Sequence, residues 1–217
     1  NIFLSIPPFP IPYRIITKEI FLDMGKTKSK SSGKGFLSGL LAIIAIALGG
    51  VALALMMTPI LVSSWEGTIP VLGTKVSSTL SISGFTLAFG GKGQVTSTLG
   101  SQSSVGDMDV DMHVGALMMF IILLVGILLA AALLVLKFTG AKTGLFKALA
   151  FVAFLCFLAA GIMFFCAQPI CGDIAKYESN GVSIDFSEYL KLGYGAILSG
   201  ICSVVAGVGI AASAITA

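Results

Sequence analysis

Charge is scarce in this sequence. Only 11% of the 217 residues are charged, whereas 56% are hydrophobic and the mean hydropathy is +1.03. A water-soluble core of this size cannot hide so much apolar surface, so the composition excludes an ordinary globular protein. The formal net charge of +3 is too small to indicate a nucleic-acid partner.

Residues that carry chemistry are also rare. The chain has one histidine and four cysteines, and their spacing fits no zinc site. The long apolar runs contain no charged residue, so a proton relay inside a membrane has no carrier. A haem-type cofactor would need axial ligands, and His113 stands alone. We therefore expect neither an enzyme nor a cofactor-binding protein.

Long apolar runs are what the sequence does contain. Each of four runs is long enough to cross a hydrocarbon core of about 30 Å as a helix. We predict an all-α bundle of four transmembrane helices within residues 35–217, at 35–62, 112–137, 146–167 and 192–216. Lysines concentrate before the first helix and between the second and third, whereas acids concentrate in 63–111 and 168–191. The positive-inside rule then places both chain ends in the cytoplasm and those two segments outside.

Residues 1–34 stand apart from the four runs, and we interpret them as a cytoplasmic arm. The Pro-rich stretch 1–23 cannot be helical and is too short to span. It is either an extended arm against the membrane or a partner, or a translated leader before a start at Met24. With that start, Gly25 fits an acylation pattern. The simpler interpretation is that lysines 26–34 only fix the orientation.

The external segment 63–111 predicts a small antiparallel β-sheet. Apolar residues alternate with small polar ones, the phase slips at Gly84, and residues 90–93 form a glycine-rich turn. We expect strands on both sides of that turn to share one apolar face. Its members are Leu80, Ile82, Phe85, Leu87, Phe89, Val95 and Leu99.

Trp65 directly follows the first predicted span. We expect it to brace the sheet, with its ring under the sheet and its N–H bonded to a carbonyl or water. The alternative is an interfacial anchor that faces lipid, because tryptophan is common at membrane boundaries.

Three carboxylates alternate before the second helix. Asp107, Asp109 and Asp111 would share one face of an extended chain, and oxygen ligands suit Ca²⁺. The run lacks the glycine and the distal glutamate of an EF-hand loop. We interpret it as a solvated lead-in to the helix, with a metal site as the alternative.

Small residues recur every four positions along two of the helices. The stripes permit close backbone approach in lipid, either inside one bundle or between protomers. The positions that define them are Gly49, Gly195, Ser199, Ser203 and Gly207.

Cys166 and Cys171 lie at the outer end of the third helix. In an oxidising compartment their spacing allows a disulfide around a small loop, and the alternative is two buried thiols.

This layout resembles the claudin and peripheral-myelin-protein superfamily of four-span membrane proteins. Trp65 stands where that family keeps a tryptophan, and residues 189–200 (YLKLGYGAILSG) resemble the start of its fourth helix. The two cysteines that the family keeps in the first external segment are absent here. The resemblance is therefore to a divergent member, such as those that build plasma-membrane arrays in unicellular organisms.

The resemblance implies a structural protein of the plasma membrane that assembles laterally into homo-oligomers, strands or arrays, as in a pellicle. Its partners would be membrane lipid, further copies of itself and other membrane or cytoskeletal proteins. One alternative is a cation-selective channel or barrier whose field is set by Glu66 and the three aspartates. Another is an accessory subunit of a larger membrane complex, with residues 1–23 as a docking arm.

Overall fold

The structure is a computed structural model, and it describes residues 36–69, 73–139, 143–179, 182–185 and 189–216. The N-terminal arm expected at 1–34 lies outside these residues. In chain order the elements are α1 (Phe36–Leu55), β1 (Pro59–Ile69), β2 (Thr74–Ser83), α2 (Gly84–Phe89), β3 (Gly91–Leu99), β4 (Gln102–Val110), α3 (Val114–Phe138), α4 (Thr143–Phe165), α5 (Ala167–Ile170), a 3-10 turn (Gly172–Ala175), β5 (Lys176–Ser179), β6 (Val182–Asp185), β7 (Leu190–Leu192) and α6 (Tyr194–Thr216).

Four helices within the described ranges, α1, α3, α4 and α6, are long and apolar enough to cross a membrane. This confirms the four predicted spans. They pack into a bundle in which α4 contacts both α3 and α6. Gly49 of α1 lies against Ile127 of α3 and Phe157 of α4, so the absence of a side chain there brings three helices together. Phe157 and Phe164 are fully buried and fill the centre.

The sheet has five antiparallel strands in the order β4-β3-β2-β1-β7, which confirms a small antiparallel sheet. β3 and β4 form a tight hairpin through Gly100, whose φ of +62° favours glycine. β7 is short and pairs only with Leu61–Ser63 of β1. β5 and β6 form a separate two-stranded hairpin.

The sheet lies at the end of the bundle where α1 ends and α6 begins. Pro59 has no backbone N–H to continue a helix, and the chain turns into β1 there. Thr58 Oγ1 donates to the carbonyl of Leu55 at 2.6 Å and closes the last turn. The predicted first helix is therefore wrong at residues 56–62.

Besides the β1–β7 strand pairing, two hydrogen bonds join the α1–β1 segment to the β7–α6 segment. The N–H of Gly193 donates to the carbonyl of Ile60 at 2.8 Å, just before α6 begins. Ser199 Oγ donates to the carbonyl of Ala52 at 3.0 Å, one turn into the helices. The fourth helix consequently starts two residues later than predicted, at Tyr194, because Leu190–Leu192 forms a strand of the sheet.

The strand predicted at residues 85–89 is wrong, because this stretch is the short helix α2. Ser83 caps the helix by accepting a hydrogen bond from the N–H of Thr86 at 3.1 Å. The helical turn stacks Phe85 on Phe89, with ring centroids 4.7 Å apart, and Phe89 in turn contacts Phe120 of α3 at 5.0 Å. The alternating phenylalanines thus share a helix face that holds α2 on α3.

Candidate functional site

The outer strand β4 is the most exposed part of the sheet. It pairs with β3 on one side, and no described strand pairs with its other side. Residues 102–107 are all exposed, and Val105 has 70% of its surface free. Only Val110, where the strand returns to the bundle, is buried. An edge with unpaired backbone groups and an exposed valine is a template for another strand.

The opposite edge of the sheet is only partly covered. β7 protects β1 as far as Ser63, and beyond that point no described strand pairs with the outer side of β1. Ser64, Glu66 and Thr68 are exposed along this stretch. At the end of the sheet away from the bundle, neither edge is therefore paired with a described strand.

Hydroxyl groups cover the sheet face that points away from the buried core. Ser64, Thr79 and Thr96 stand in one row across three strands. In the next row, Ser77 and Thr98 share a side-chain hydrogen bond. An open groove of about 530 Å³ at this end is lined by groups that include Glu66 and Lys75. The surface is flat and polar.

The aspartates predicted to share a face do not converge on a metal site. Asp107 instead lies near Lys92 of β3, with 3.5 Å between Oδ2 and Nζ, and both side chains are largely exposed. Asp109 is opposite Lys92 in the strand register, and Asp111 follows the end of β4. Within the described ranges, no three His, Cys, Asp or Glu side chains form a group that could hold a metal ion. The exposed ion pair between Lys92 and Asp107 contributes little to stability.

His113 caps α3. The side-chain Nδ1 accepts a hydrogen bond from the N–H of Gly115 at 3.2 Å. The backbone N–H of His113 donates to the carbonyl of Leu87 at 2.7 Å. The lone histidine therefore joins α2 to the first turn of α3.

Trp65 lies in the middle of β1, opposite Ser78 of β2. By strand alternation it shares a face with Leu61, which is buried, but it sits further from the bundle. Its side chain is 41% exposed, and the indole lies across Gly67 of the same strand. The ring is thus on the expected face but only partly covered, and its role as a brace stays a prediction.

The predicted apolar face is buried only near the bundle. Ile82 and Leu87 are fully buried, and Leu80 and Val95 are half-buried. Phe85, Phe89 and Leu99 each remain more than 40% exposed, and Phe85 and Phe89 belong to α2 instead of the sheet. The sequence reasoning missed the rest of this core, because Leu61, Val110 and Leu190 belong to strands that it did not predict.

The small residues of α6 face the inside of the bundle. A Cβ at Gly207 would stand 3.2 Å from Phe157 Cβ, and Gly195 lies against the carbonyls at the end of α1. Ser199 and Ser203 are fully buried, and Ser199 bonds to α1 as described. These positions serve contacts within one chain.

Cys166 and Cys171 are not bonded to each other in the structure, and of the two alternatives for them a buried thiol is seen only at Cys171. They flank the helical turn α5, whose backbone bonds run from the N–H of Cys171 to Ala167. Because the two cysteines are five residues apart in a helical stretch, their side chains point about 140° apart around the helix axis. Cys166 is exposed and Cys171 is buried.

No protein-family model matches the chain, and no curated protein matches it. What the fold defines is a multi-pass membrane protein, with four apolar helices and a small antiparallel sheet at one end. Its most open surface is the free edge of that sheet.

Proposed function

We propose that this chain is a structural, claudin-like protein of the plasma membrane that assembles laterally through its sheet. In this proposal the sheet is extracellular and both chain ends are cytoplasmic, as the distribution of lysines favours. The observation that carries the proposal is the free edge of β4, where exposed Val105 stands in an unpaired row of backbone groups.

The sequence of β4 suits pairing with a second copy of itself. In an antiparallel pair centred on Gly106, Val105 of each copy would face Asp107 of the other, and Ser103 would face Asp109. No aspartate then faces an aspartate. Gly106 itself has open space around its Cα, so the centre of the pair is free of steric obstruction.

One feature favours arrays over isolated dimers. The uncovered part of β1 provides a second edge on the same sheet that no described strand pairs. Contacts through two different edges do not close on themselves, and they produce extended rows. Asp107 and Asp109 would keep the β4 edge from pairing with unrelated strands.

Crosslinking tests the β4 edge directly. Gly106→Cys is made in a Cys166→Ser background, because Gly106 is the position that faces itself in this pair and has room for a side chain. Thr79→Cys is the control, since Thr79 is exposed but lies on an inner strand. Under mild oxidation in native membranes, we expect covalent dimers from Gly106→Cys and far fewer from Thr79→Cys. Equal yields from both, or a strictly monomeric mass in nanodiscs at every concentration, would refute assembly through this edge.

The cation-selective alternative has one observation in its favour. Glu66, Asp107, Asp109 and Asp111 are all exposed at the sheet end, where they would attract cations. If the protein conducts, replacing the three aspartates by asparagine should reduce its preference for cations in a bilayer recording. A parent protein without ion selectivity would exclude this function.

A further inference from the structure

Two polar groups are buried without a partner at the end of the bundle opposite the sheet. One is the ammonium Nζ of Lys137, in the last turn of α3, and the other is the hydroxyl of Ser38, near the start of α1. Ser38 is completely buried, and Lys137 is partly buried along its stem with its Nζ shielded from solvent. Burial of polar groups without hydrogen bonds is unfavourable, most of all for a charge.

The two groups occupy the same corner of the bundle. Gly39 of α1 faces Lys137, and a Cβ at that position would stand 3.6 Å from Nζ. Ser38 is the neighbouring residue, with its Cα about 3.8 Å from that of Gly39. The lysine thus folds back against α1 instead of extending away from the helix, and Ser38 is the next residue of α1 before the glycine it contacts.

A counter-charge is missing from this corner among the described residues. The carboxylates whose side chains are described, Glu66, Asp107, Asp109 and Asp111, all belong to the sheet end. The one ion pair within the described ranges, Lys92 with Asp107, is also there. Burying an ammonium without an anion beside it is costly, and the described part of the chain offers no anion here.

We propose that Lys137 and Ser38 bind the phosphate of an anionic membrane lipid between α1 and α3. The site lies at the end of a membrane-spanning helix, next to Phe138, which is 81% exposed. Phosphate oxygens accept hydrogen bonds from an ammonium and from a hydroxyl at once. Basic pockets between helix ends are typical binding sites for lipid headgroups. Free phosphate offers the same chemistry without the acyl chains, so the test must separate the two.

Native mass spectrometry of the full chain in mild detergent measures the binding. The probes are phosphatidic acid and phosphatidylcholine with identical acyl chains. Lys147→Met is the matched control for Lys137→Met, because Lys147 is an exposed lysine at the start of the neighbouring helix α4. We expect Lys137→Met to lower the affinity for phosphatidic acid about tenfold, as for the loss of one charge-assisted bond. Lys147→Met should leave it nearly unchanged.

Ser38→Ala provides a second variant that keeps the charge and removes the hydroxyl. Ser38→Ala should weaken phosphatidic acid binding several-fold. If size-exclusion chromatography shows that Lys137→Met does not fold, the binding measured for Ser38→Ala tests the site instead. Equal binding of phosphatidylcholine, or equal losses in Lys147→Met and Lys137→Met, would overturn the site. Displacement of the lipid by millimolar inorganic phosphate would overturn the lipid as its ligand.

Discussion

The indole of Trp65 lies flat across Gly67, two residues further along β1. A Cβ at position 67 would stand 2.6 Å from the Cη2 atom of the ring. Glycine at 67 therefore permits the ring position, and the ring covers a backbone stretch whose outer side pairs with no described strand. This pair shapes the part of β1 that β7 leaves uncovered.

Replacing Gly67 with alanine is expected to displace the Trp65 ring toward solvent. Trp65 is the only tryptophan in the chain, so its fluorescence reports this one contact, and the emission should shift to longer wavelength. The free energy of unfolding should fall by about 1 kcal/mol or less, because a side chain moves and the backbone does not. Gly106→Ala is the control, since no atom lies within 4 Å of its added Cβ. Identical spectra for both variants would show that the ring does not depend on Gly67.

Adjacent glycines in α1 give a matched pair for the packing of the bundle. A Cβ at Gly49 would stand 2.8 Å from Ile127 Cγ1 and 3.0 Å from Phe157 Cε1, whereas nothing lies within 4 Å of one at Gly50. We expect Gly49→Ala to destabilise the bundle by about 1–3 kcal/mol through overpacking. Gly50→Ala should be neutral or slightly stabilising, because alanine favours helix over glycine. Thermal unfolding in one detergent measures both, and equal stability would contradict the packing of α1 against α3 and α4.

The cap of α3 predicts different outcomes for two substitutions of His113. Alanine removes the acceptor for the N–H of Gly115 and should cost about 1 kcal/mol. Asparagine supplies a side-chain oxygen at the same position and should retain most of that stability. Hydrogen exchange at the Gly115 amide checks the bond itself. Equal protection of the Gly115 amide in His113→Ala and His113→Asn would show that the side chain at 113 does not cap α3.

Burial raises the pKa of the Cys171 thiol from 9.0 to about 11. Burial disfavours the thiolate, which is the reactive form, so its fraction near pH 8 falls about 100-fold. In the folded protein we expect alkylation at neutral pH at the exposed Cys166 and very little at Cys171, with peptide mass mapping to assign the sites. The Cys171 rate should climb as pH rises toward 11. The favourable burial of the neutral thiol is lost over the same interval, from pH 9 upward.

The four helices could be predicted because length and hydropathy are local properties of the sequence. The ends of the helices could not be predicted where an apolar run passes from a helix into a buried strand, because the composition does not change there. Ile60 and Leu61 are as apolar as the helix before them, and both are fully buried in the sheet region. Pro59 was the one local signal of the change.

Other features depend on partners that are distant in the sequence. Leu190–Leu192 forms a strand only because β1 offers an edge at Leu61–Ser63. Residues 85–89 fit both a strand and a helix by alternation, and the cap from Ser83 decided the outcome. The corner formed by Ser38 and Lys137 requires α1 and α3 to be neighbours, which no pattern in either segment specifies.

Two of the apolar helices, α1 and α6, are joined to strands of the sheet by only a few residues. These two helix–strand segments are also hydrogen-bonded to each other. α1 leads into β1, β7 leads into α6, and the bonds from Gly193 to Ile60 and from Ser199 to Ala52 tie them together. No long flexible linker therefore separates these two strands from their helices. A force on the sheet would pass along the backbone into both helices, and under the proposed lateral assembly it would reach the opposite end of the bundle.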